Sequence, residues 1–191
     1  MLKKLFQKTI FWLKAARLYS APITLLSWLV IFIFALKQGG NILAGIISLF
    51  GISLVHLATN LIDDYIDYKD LQKENRFITA GRDCKCAYIR SGEATTKDLR
   101  NVILIFLSIA AFCGGILFFL SGPAVFWLAI IALFIALSYP HLSSRGLGEI
   151  AVTIAYGPLM FEGVFYVMTK NFSLDAFILS MICVMFVNTI L

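Results

Sequence analysis

The chain has 191 residues, of which 60% are hydrophobic and only 14% are charged, and its formal net charge is +5 at pH 7. A soluble domain carries about a quarter charged residues and about half apolar ones. This composition leaves too little polar surface to cover a water-soluble globule, so lipid must surround most of the fold. We therefore predict an all-α, polytopic transmembrane helix bundle.

Residues 1–19 form a basic segment before the first apolar run. Its five basic residues alternate with apolar ones and are Lys3, Lys4, Lys8, Lys14 and Arg17. A cleaved signal peptide needs an uninterrupted apolar stretch, which Lys14 and Arg17 break. The segment is either an amphipathic helix at the membrane interface or a basic anchor preceding the first span. Both interpretations keep it on the cytoplasmic side.

The remaining domain, residues 20–191, contains six long apolar runs. A helix needs about 20 mainly apolar residues to span a bilayer. In chain order the runs lie at residues 23–36, 42–57, 102–120, 124–138, 150–168 and 174–191. The first, second and fourth need flanking residues to reach the spanning length. We predict six membrane helices, and the glycines and prolines inside several of them are tolerated in that setting.

Basic residues are distributed unevenly between the two sides of this predicted bundle. All but two of the 16 Lys and Arg residues precede the first run or lie in the second-to-third or fourth-to-fifth connection. The other side holds only Lys37 and Lys170. By the positive-inside rule, the N-terminus and these two loops are cytoplasmic. We therefore expect an integral protein of the cytoplasmic membrane.

The second apolar run leads into an acidic segment, residues 60–70. On a helix, five of its oxygen-bearing side chains fall within an arc of about 120°, and these are Asn60, Asp63, Asp64, Asp67 and Asp70. Four carboxylates this close repel one another unless a cation lies among them, and Mg²⁺ takes carboxylate and phosphate oxygens as ligands. We predict a metal–diphosphate site at the membrane surface. The alternative is a solvated acidic helix end, balanced by the basic loop that follows.

Other polar residues on the same side have candidate roles. Arg145, after the fourth run, is a bidentate donor suited to phosphate. Arg90 either faces phosphate or only determines topology. Thr95 or Thr96 is expected to cap the third spanning helix. Glu162 lies deep in the fifth run and is expected to face the bundle interior, either as a packing partner or as a substrate contact.

The pair Cys84 and Cys86 lies in the basic loop. Its single-residue spacing differs from the Cys-x-x-Cys pattern of zinc and thioredoxin-type sites. We assign these two thiols no chemical role.

Several of these segments resemble the UbiA superfamily of intramembrane aromatic prenyltransferases. Asp63-Asp64-Tyr-Ile-Asp67 matches the core of its first aspartate-rich signature, with Asn60 one turn earlier. Residues 90–93, Arg-Ser-Gly-Glu, and 145–149, Arg-Gly-Leu-Gly-Glu, resemble most closely the 1,4-dihydroxy-2-naphthoate polyprenyltransferases of menaquinone synthesis. Two departures from the signature are Asp at position 63, where Asn is commoner, and a last acid at Asp70 instead of position 71.

The resemblance implies a nine-helix fold with a second aspartate-rich motif after the sixth helix. No such motif occurs before Leu191. We therefore expect this chain to be the N-terminal two-thirds of such an enzyme, with about six of the nine helices. The implied reaction is the Mg²⁺-dependent transfer of a polyprenyl group from its diphosphate to an aromatic acceptor, 1,4-dihydroxy-2-naphthoate.

The resemblance also implies roles for individual residues. Asp64 and Asp67 would be catalytic, and the metal ligands would be Asp63, Asp64, Asp67 and Asp70. The substrate contacts would be Asn60, Arg145, Tyr139, Arg90 and Arg17. The expected partners are a polyprenyl diphosphate, the aromatic acceptor and the lipid bilayer, with no nucleic acid.

Alternative functions remain open at this point. One is a catalytically inactive membrane fragment, and another is a UbiA-type prenyltransferase of chlorophyll, haem or archaeal-lipid synthesis. A cation transporter is disfavoured because only Glu162 lies deep in a span. A phosphatidyl-alcohol transferase is disfavoured because its Asp-Gly-x-x-Ala-Arg motif does not occur here.

Overall fold

A computed structural model describes the backbone of residues 2–74 and 86–190, and the side chains of residues 6–72 and 86–189. Within these ranges the regular structure is entirely helical and contains no strand. This confirms the predicted all-α class. Residues 75–85, which include Cys84 and the basic residues Arg76, Arg82 and Lys85, lie outside the described residues.

The helices occur in chain order with short connections. They are α1 (Leu2–Ala15), a 3₁₀ turn (Leu18–Ser20), α2 (Ala21–Lys37), α3 (Ile42–Glu74), α4 (Ala87–Arg90), α5 (Thr96–Ser121), α6 (Ala124–Ser144), α7 (Gly148–Ile154), a π turn (Ala155–Leu159), α8 (Met160–Thr169) and α9 (Leu174–Ile190).

Five helical segments of the described chain are long and apolar enough to cross a membrane, and they are Leu18–Lys37, Ile42–Gln72, Thr96–Ser121, Ala124–Ser144 and Gly148–Thr169. They correspond to the first five predicted spans, with ends extended by several residues. The sixth predicted span corresponds to α9, whose apolar part, Leu174–Thr189, is shorter than the other five. The protein is an integral membrane protein.

The outward face of the bundle is apolar. Large side chains are widely exposed along the spanning helices, among them Phe112, Phe119, Trp127 and Phe134. Exposure of such side chains to water would be unfavourable by about 25 cal/mol for each Å² of apolar surface. Lipid is therefore the solvent for this surface.

Helix α3 is the longest helix and carries the acidic segment. Its 33 residues correspond to a length of about 50 Å, whereas a bilayer core is about 30 Å thick. No glycine or proline follows Gly51 before the helix ends at Glu74. The first 20 residues of α3 suffice to cross the hydrocarbon, so Asp63 lies near the membrane boundary if crossing begins at Ile42.

We call the end of the bundle at which α3 finishes the acidic end. The start of α5 and the end of α6 also lie at this end, because the turn at Gly122 (φ 108°) reverses the direction of the chain between these two helices. Helix α5 begins with a capping box in which Thr95 and Asp98 each accept the other's backbone N–H, so Thr95 is the cap of the two predicted candidates.

The fifth span is interrupted by the π turn. Pro158 has no backbone N–H to donate, and Gly157 has a non-helical ψ of −113°. The helical hydrogen-bond pattern therefore shifts at Tyr156, in the middle of the span. Such single-turn π segments commonly occur at functional positions.

Glu162 lies after this turn and contacts the start of α9. The backbone N–H of Ser173 donates to a carboxylate oxygen of Glu162 at 3.2 Å. Ser173 immediately precedes α9, and its hydroxyl accepts from the Ala176 backbone N–H at 3.3 Å, so Glu162 holds the residue that caps this helix. Of the two roles left open by the sequence, the contact supports the packing role.

Two apolar clusters form the interior. The first, at the acidic end, includes Trp12, Leu61 and Leu99. The second, towards the opposite end, includes Trp28, Phe161 and Val164. Each cluster draws on several helices, so the clusters hold α1, α3 and α5 together at one end and α2, α3 and α8 at the other.

Candidate functional site

The acidic face of α3 is buried at the acidic end of the bundle. Asp63, Asp64 and Asp67 are only 3%, 1% and 8% exposed, and Asp70 is half-buried. Carboxylates are rarely buried to this degree unless they are paired or bind a cation. The structure therefore brings the first three predicted metal ligands into one buried polar face.

Arg17 lies directly against this face. Its guanidinium donates to Asp63 Oδ2 at 3.3 Å and also forms a short ion pair with Asp64. Burial opposes the charge on Arg17, but the two carboxylates outweigh it, and the net result is a raised Arg17 pKa. One guanidinium thus pairs with two carboxylates that are 46 and 47 positions away in the sequence.

The backbone of Arg17 has a left-handed conformation, with φ 58° and ψ 49°. This conformation is unfavourable for a residue with a Cβ by about 1 kcal/mol. Two side chains hold the turn, since the Asn60 amide nitrogen donates to the Ala16 carbonyl at 2.9 Å and the Ser20 hydroxyl donates to the Arg17 carbonyl at 2.8 Å. Asn60, a predicted substrate contact, therefore positions Arg17 in this structure.

Two residues that the sequence did not indicate contact Asp64 from the loop before α5. The Tyr88 hydroxyl donates to Asp64 Oδ2 at 3.0 Å, and the Cys86 thiol donates to the Asp64 backbone carbonyl at 3.3 Å. Burial, followed by the charge of Asp64, raises the pKa of the Tyr88 hydroxyl. Tyr88 therefore remains protonated at neutral pH and available as a hydrogen-bond donor.

The same surroundings affect Cys86. Burial raises the pKa of its thiol to about 12, and the charges of Asp64 and Asp67 add to this effect. Because only the thiolate reacts with alkylating reagents, we expect Cys86 to be modified at pH 8 at least about tenfold more slowly in the folded protein than after unfolding. Peptide mapping after timed exposure to N-ethylmaleimide measures this ratio. Equal rates in the folded and unfolded states would contradict the placement of Cys86 beside Asp64.

The other predicted substrate contacts lie around the same end of the bundle. Arg145 is an exposed residue immediately after α6, and Arg90 is the exposed last residue of α4. Tyr139 is half-buried near the end of α6. Arg17, a predicted cationic contact, forms ion pairs with both Asp63 and Asp64.

The donor chemistry of the acidic face fits a hard divalent cation. Carboxylate oxygens are the ligands that Mg²⁺ prefers, and three of them are buried side by side on one helix face. Within residues 2–74 and 86–190, however, no three His, Cys, Asp or Glu side chains come together at metal-binding spacing. Arg17 provides the positive charge between Asp63 and Asp64 in this arrangement.

A second polar group, which sequence reasoning missed, continues the polar face of α3 into the membrane. His56 Nε2 lies 2.8 Å from Ser20 Oγ, and His56 Nδ1 lies 2.5 Å from Thr24 Oγ1. The Tyr156 hydroxyl forms a short contact with the same Nδ1 and lies 3.2 Å from Thr24 Oγ1. We call these four residues the His56 network. A helical spacing of four from His56 to Asn60, and of eight from His56 to Asp64, was the signal that could have revealed it.

Comparison with known proteins adds family evidence to this geometry. The model of the UbiA prenyltransferase family matches residues 24–191. No curated protein and no solved structure gives a match. Members of that family are membrane-embedded prenyltransferases acting on aromatic acceptors, and they generally bind the diphosphate through a divalent metal. Because the match covers most of the sequence, the chain belongs to the UbiA prenyltransferase family.

Proposed function

We propose that the protein transfers a polyprenyl group from its diphosphate to 1,4-dihydroxy-2-naphthoate, in a Mg²⁺-dependent step of menaquinone synthesis. The observation that carries this proposal is the buried acidic face of α3 beside Arg17, in a member of a prenyltransferase family. Resemblance of residues 90–93 and 145–149 to the naphthoate branch supports the choice of acceptor.

In this proposal the metal is held by Asp63, Asp64, Asp67 and Asp70. When bound, Mg²⁺ supplies positive charge that neutralises the diphosphate and favours its departure. Burial of the carboxylates matters because electrostatic interactions are stronger where water is excluded. The Tyr88 hydroxyl fixes the orientation of the Asp64 carboxylate through its 3.0 Å hydrogen bond.

Arginine side chains complete the proposed diphosphate site. Arg17 is already oriented by the Asn60 and Ser20 contacts to the chain around it. Its planar guanidinium can donate two parallel hydrogen bonds to phosphate oxygens. Arg145, after α6, and Arg90, at the end of α4, contribute further positive charge, and Tyr139 near the end of α6 is a further proposed substrate contact. Charge that develops on the leaving oxygen is stabilised by these fixed donors.

The membrane setting follows from the donor substrate. A polyprenyl chain is as apolar as the lipid tails, so it enters the bundle between helices without leaving the hydrocarbon. We place the acidic end at the cytoplasmic face of the cytoplasmic membrane because nearly all Lys and Arg residues lie in segments at that end. The diphosphate then reaches the acidic face from the aqueous side.

An acceptor panel tests the assignment of the substrate. The protein is incubated with Mg²⁺ and a polyprenyl diphosphate. The acceptors compared are 1,4-dihydroxy-2-naphthoate, 4-hydroxybenzoate, chlorophyllide and haem. We expect the naphthoate to be prenylated with a kcat/KM at least about tenfold above any other acceptor, which corresponds to one retained hydrogen bond. Preference for another acceptor would overturn the naphthoate assignment, and no transfer to any of them would contradict the proposed prenyl transfer.

A further inference from the structure

The His56 network lies within the membrane, between the two apolar clusters. Tyr156 packs against the cluster of the opposite end, whereas Leu57, next to His56, belongs to the cluster of the acidic end. Eight residues of helix separate His56 from Asp64, a rise of about 12 Å. The network is therefore deeper in the bilayer than the proposed diphosphate site, on the same helix.

Counting hydrogen atoms indicates which nitrogen of His56 carries the proton. The Ser20 hydroxyl has one hydrogen, and it is directed to the Arg17 carbonyl at 2.8 Å. Ser20 Oγ is then an acceptor, so the contact at 2.8 Å requires His56 Nε2 to be the donor. The Asn60 amide nitrogen, 3.5 Å from Ser20 Oγ, is a second donor directed at the same oxygen. Neutral His56 is thus the Nε2–H tautomer, and its Nδ1 lone pair is an acceptor.

Two hydroxyl groups compete for that one lone pair. Thr24 Oγ1 and the Tyr156 hydroxyl both approach Nδ1 within hydrogen-bond distance. An imidazole nitrogen accepts one strong hydrogen bond, so the other hydroxyl must donate to its neighbour. The π turn at Ala155–Leu159 places Tyr156 on this face of the span. The network therefore holds one acceptor and two hydroxyls that can exchange partners.

We propose that the His56 network is the subsite for a ring hydroxyl of the aromatic acceptor, with Nδ1 accepting from that hydroxyl while Tyr156 and Thr24 rearrange around it. This proposal rests on the proposed prenyl transfer. Moving a hydroxyl from water into an apolar bundle is costly unless a hydrogen bond replaces the lost hydration. His56, Thr24 and Tyr156 supply that replacement, so they act as specificity-determining residues and take no part in the bond that breaks.

An NMR experiment tests the tautomer of His56 without any measurement of activity. The sequence has two histidines, so a His141→Gln variant leaves His56 as the only imidazole. We expect its ¹⁵N spectrum at neutral pH to show a protonated Nε2 and an unprotonated Nδ1. Adding 1,4-dihydroxy-2-naphthoate should shift the Nδ1 resonance while Nε2 remains protonated. A protonated Nδ1, or a spectrum unchanged at saturating naphthoate, would overturn the proposal.

Steady-state kinetics of two His56 substitutions distinguish the role of Nδ1 from that of Nε2. In His56→Gln the side-chain amide can reach Ser20 but no acceptor remains at the Nδ1 position. In His56→Asn an oxygen remains close to Nδ1. We expect the glutamine variant to raise the KM for the naphthoate about tenfold, with less than a twofold change for the prenyl diphosphate, because one hydrogen bond is lost. The asparagine variant should recover most of the affinity, and Tyr156→Phe should raise the same KM.

The control is Thr59→Val on the same helix, because the Thr59 hydroxyl donates to the Val55 carbonyl of its own helix at 2.8 Å. It should leave both KM values unchanged. If wild-type protein prenylates the naphthoate and His56→Gln leaves its KM unaltered, the subsite is wrong and the proposed function stands. If wild-type protein transfers no prenyl group, the proposed function is wrong, and the naphthoate-dependent ¹⁵N shift decides the subsite independently.

Discussion

Replacing Asp64 with asparagine is expected to weaken the Mg²⁺-dependent binding of a polyprenyl diphosphate at least about 100-fold. Asp64 is 1% exposed and is contacted by both Arg17 and Tyr88, so its carboxylate is the most firmly oriented oxygen donor of the acidic face. Asparagine keeps the size of the side chain but removes the charge that attracts the metal. Calorimetry with a non-hydrolysable thiodiphosphate analogue measures the affinity with and without Mg²⁺.

Asp175→Asn is the matched control for this measurement. Asp175 is an exposed carboxylate in the first turn of α9, at the opposite end of the bundle. Its replacement makes the same change in net charge and should leave the affinity within about twofold, because exposed charges at this distance are screened by salt. Equal losses in the two variants, or an unchanged affinity in Asp64→Asn, would contradict the assignment of Asp64.

Replacing Arg17 with alanine is expected to lower the free energy of unfolding by about 2–4 kcal/mol, which is slightly below the usual cost of breaking a fully buried ion pair. The side chains of Asp63 and Asp64 are 4% and 2% exposed, so both carboxylates would lose a cation that water cannot replace. The expected loss is below that of a fully buried ion pair because the Arg17 side chain is 19% exposed. Unfolding in mixed detergent micelles, followed by circular dichroism, measures the difference.

Two further variants separate the charge of Arg17 from its backbone conformation. Arg17→Gly should be less destabilising than Arg17→Ala by about 1 kcal/mol, because glycine adopts φ 58° without steric cost. Adding Asp63→Asn to Arg17→Ala should recover part of the lost stability, because one unpaired carboxylate is removed. Mg²⁺ should stabilise Arg17→Ala more than wild type. An Arg17→Ala protein as stable as wild type would show that the ion pair does not hold the site together.

The sequence predicted the acidic face because its spacing follows the helical period. Asp63, Asp64 and Asp67 lie four or fewer positions apart, after an apolar run with no late glycine or proline to end the helix. The helix therefore had to continue past the membrane boundary with these side chains on one side. The positions of the first five spans followed from the length of their apolar runs for the same local reason.

The partner of these carboxylates could not be predicted. Arg17 contacts Asp63 across 46 sequence positions, and the contact depends on how α1 and α2 pack against α3. The left-handed turn at Arg17 could not be predicted either, because the residue in that conformation is neither glycine nor asparagine. Tyr88 and Cys86 reach Asp64 from a short helical loop whose placement is determined by tertiary packing.

The His56 network could be predicted from the sequence only in part. The spacing from His56 to Asn60 and Asp64 is local and places all three on one helix face. Its other members come from α2 and from the interrupted fifth span, and no periodicity links Thr24 to Tyr156 across 132 positions. Gly157 and Pro158 indicate a break in the fifth span, but not that it turns Tyr156 towards His56.

The most direct test of prenyl transfer at the acidic face is product formation in membranes of a host that lacks its own naphthoate prenyltransferase. The protein is expressed in this host, and prenylated naphthoate is quantified with Mg²⁺ and with a chelator. We expect Mg²⁺-dependent product from wild type and at least about a 1,000-fold lower rate from Asp64→Asn. An undiminished rate in Asp64→Asn, or product formation independent of divalent metal, would contradict the proposed site.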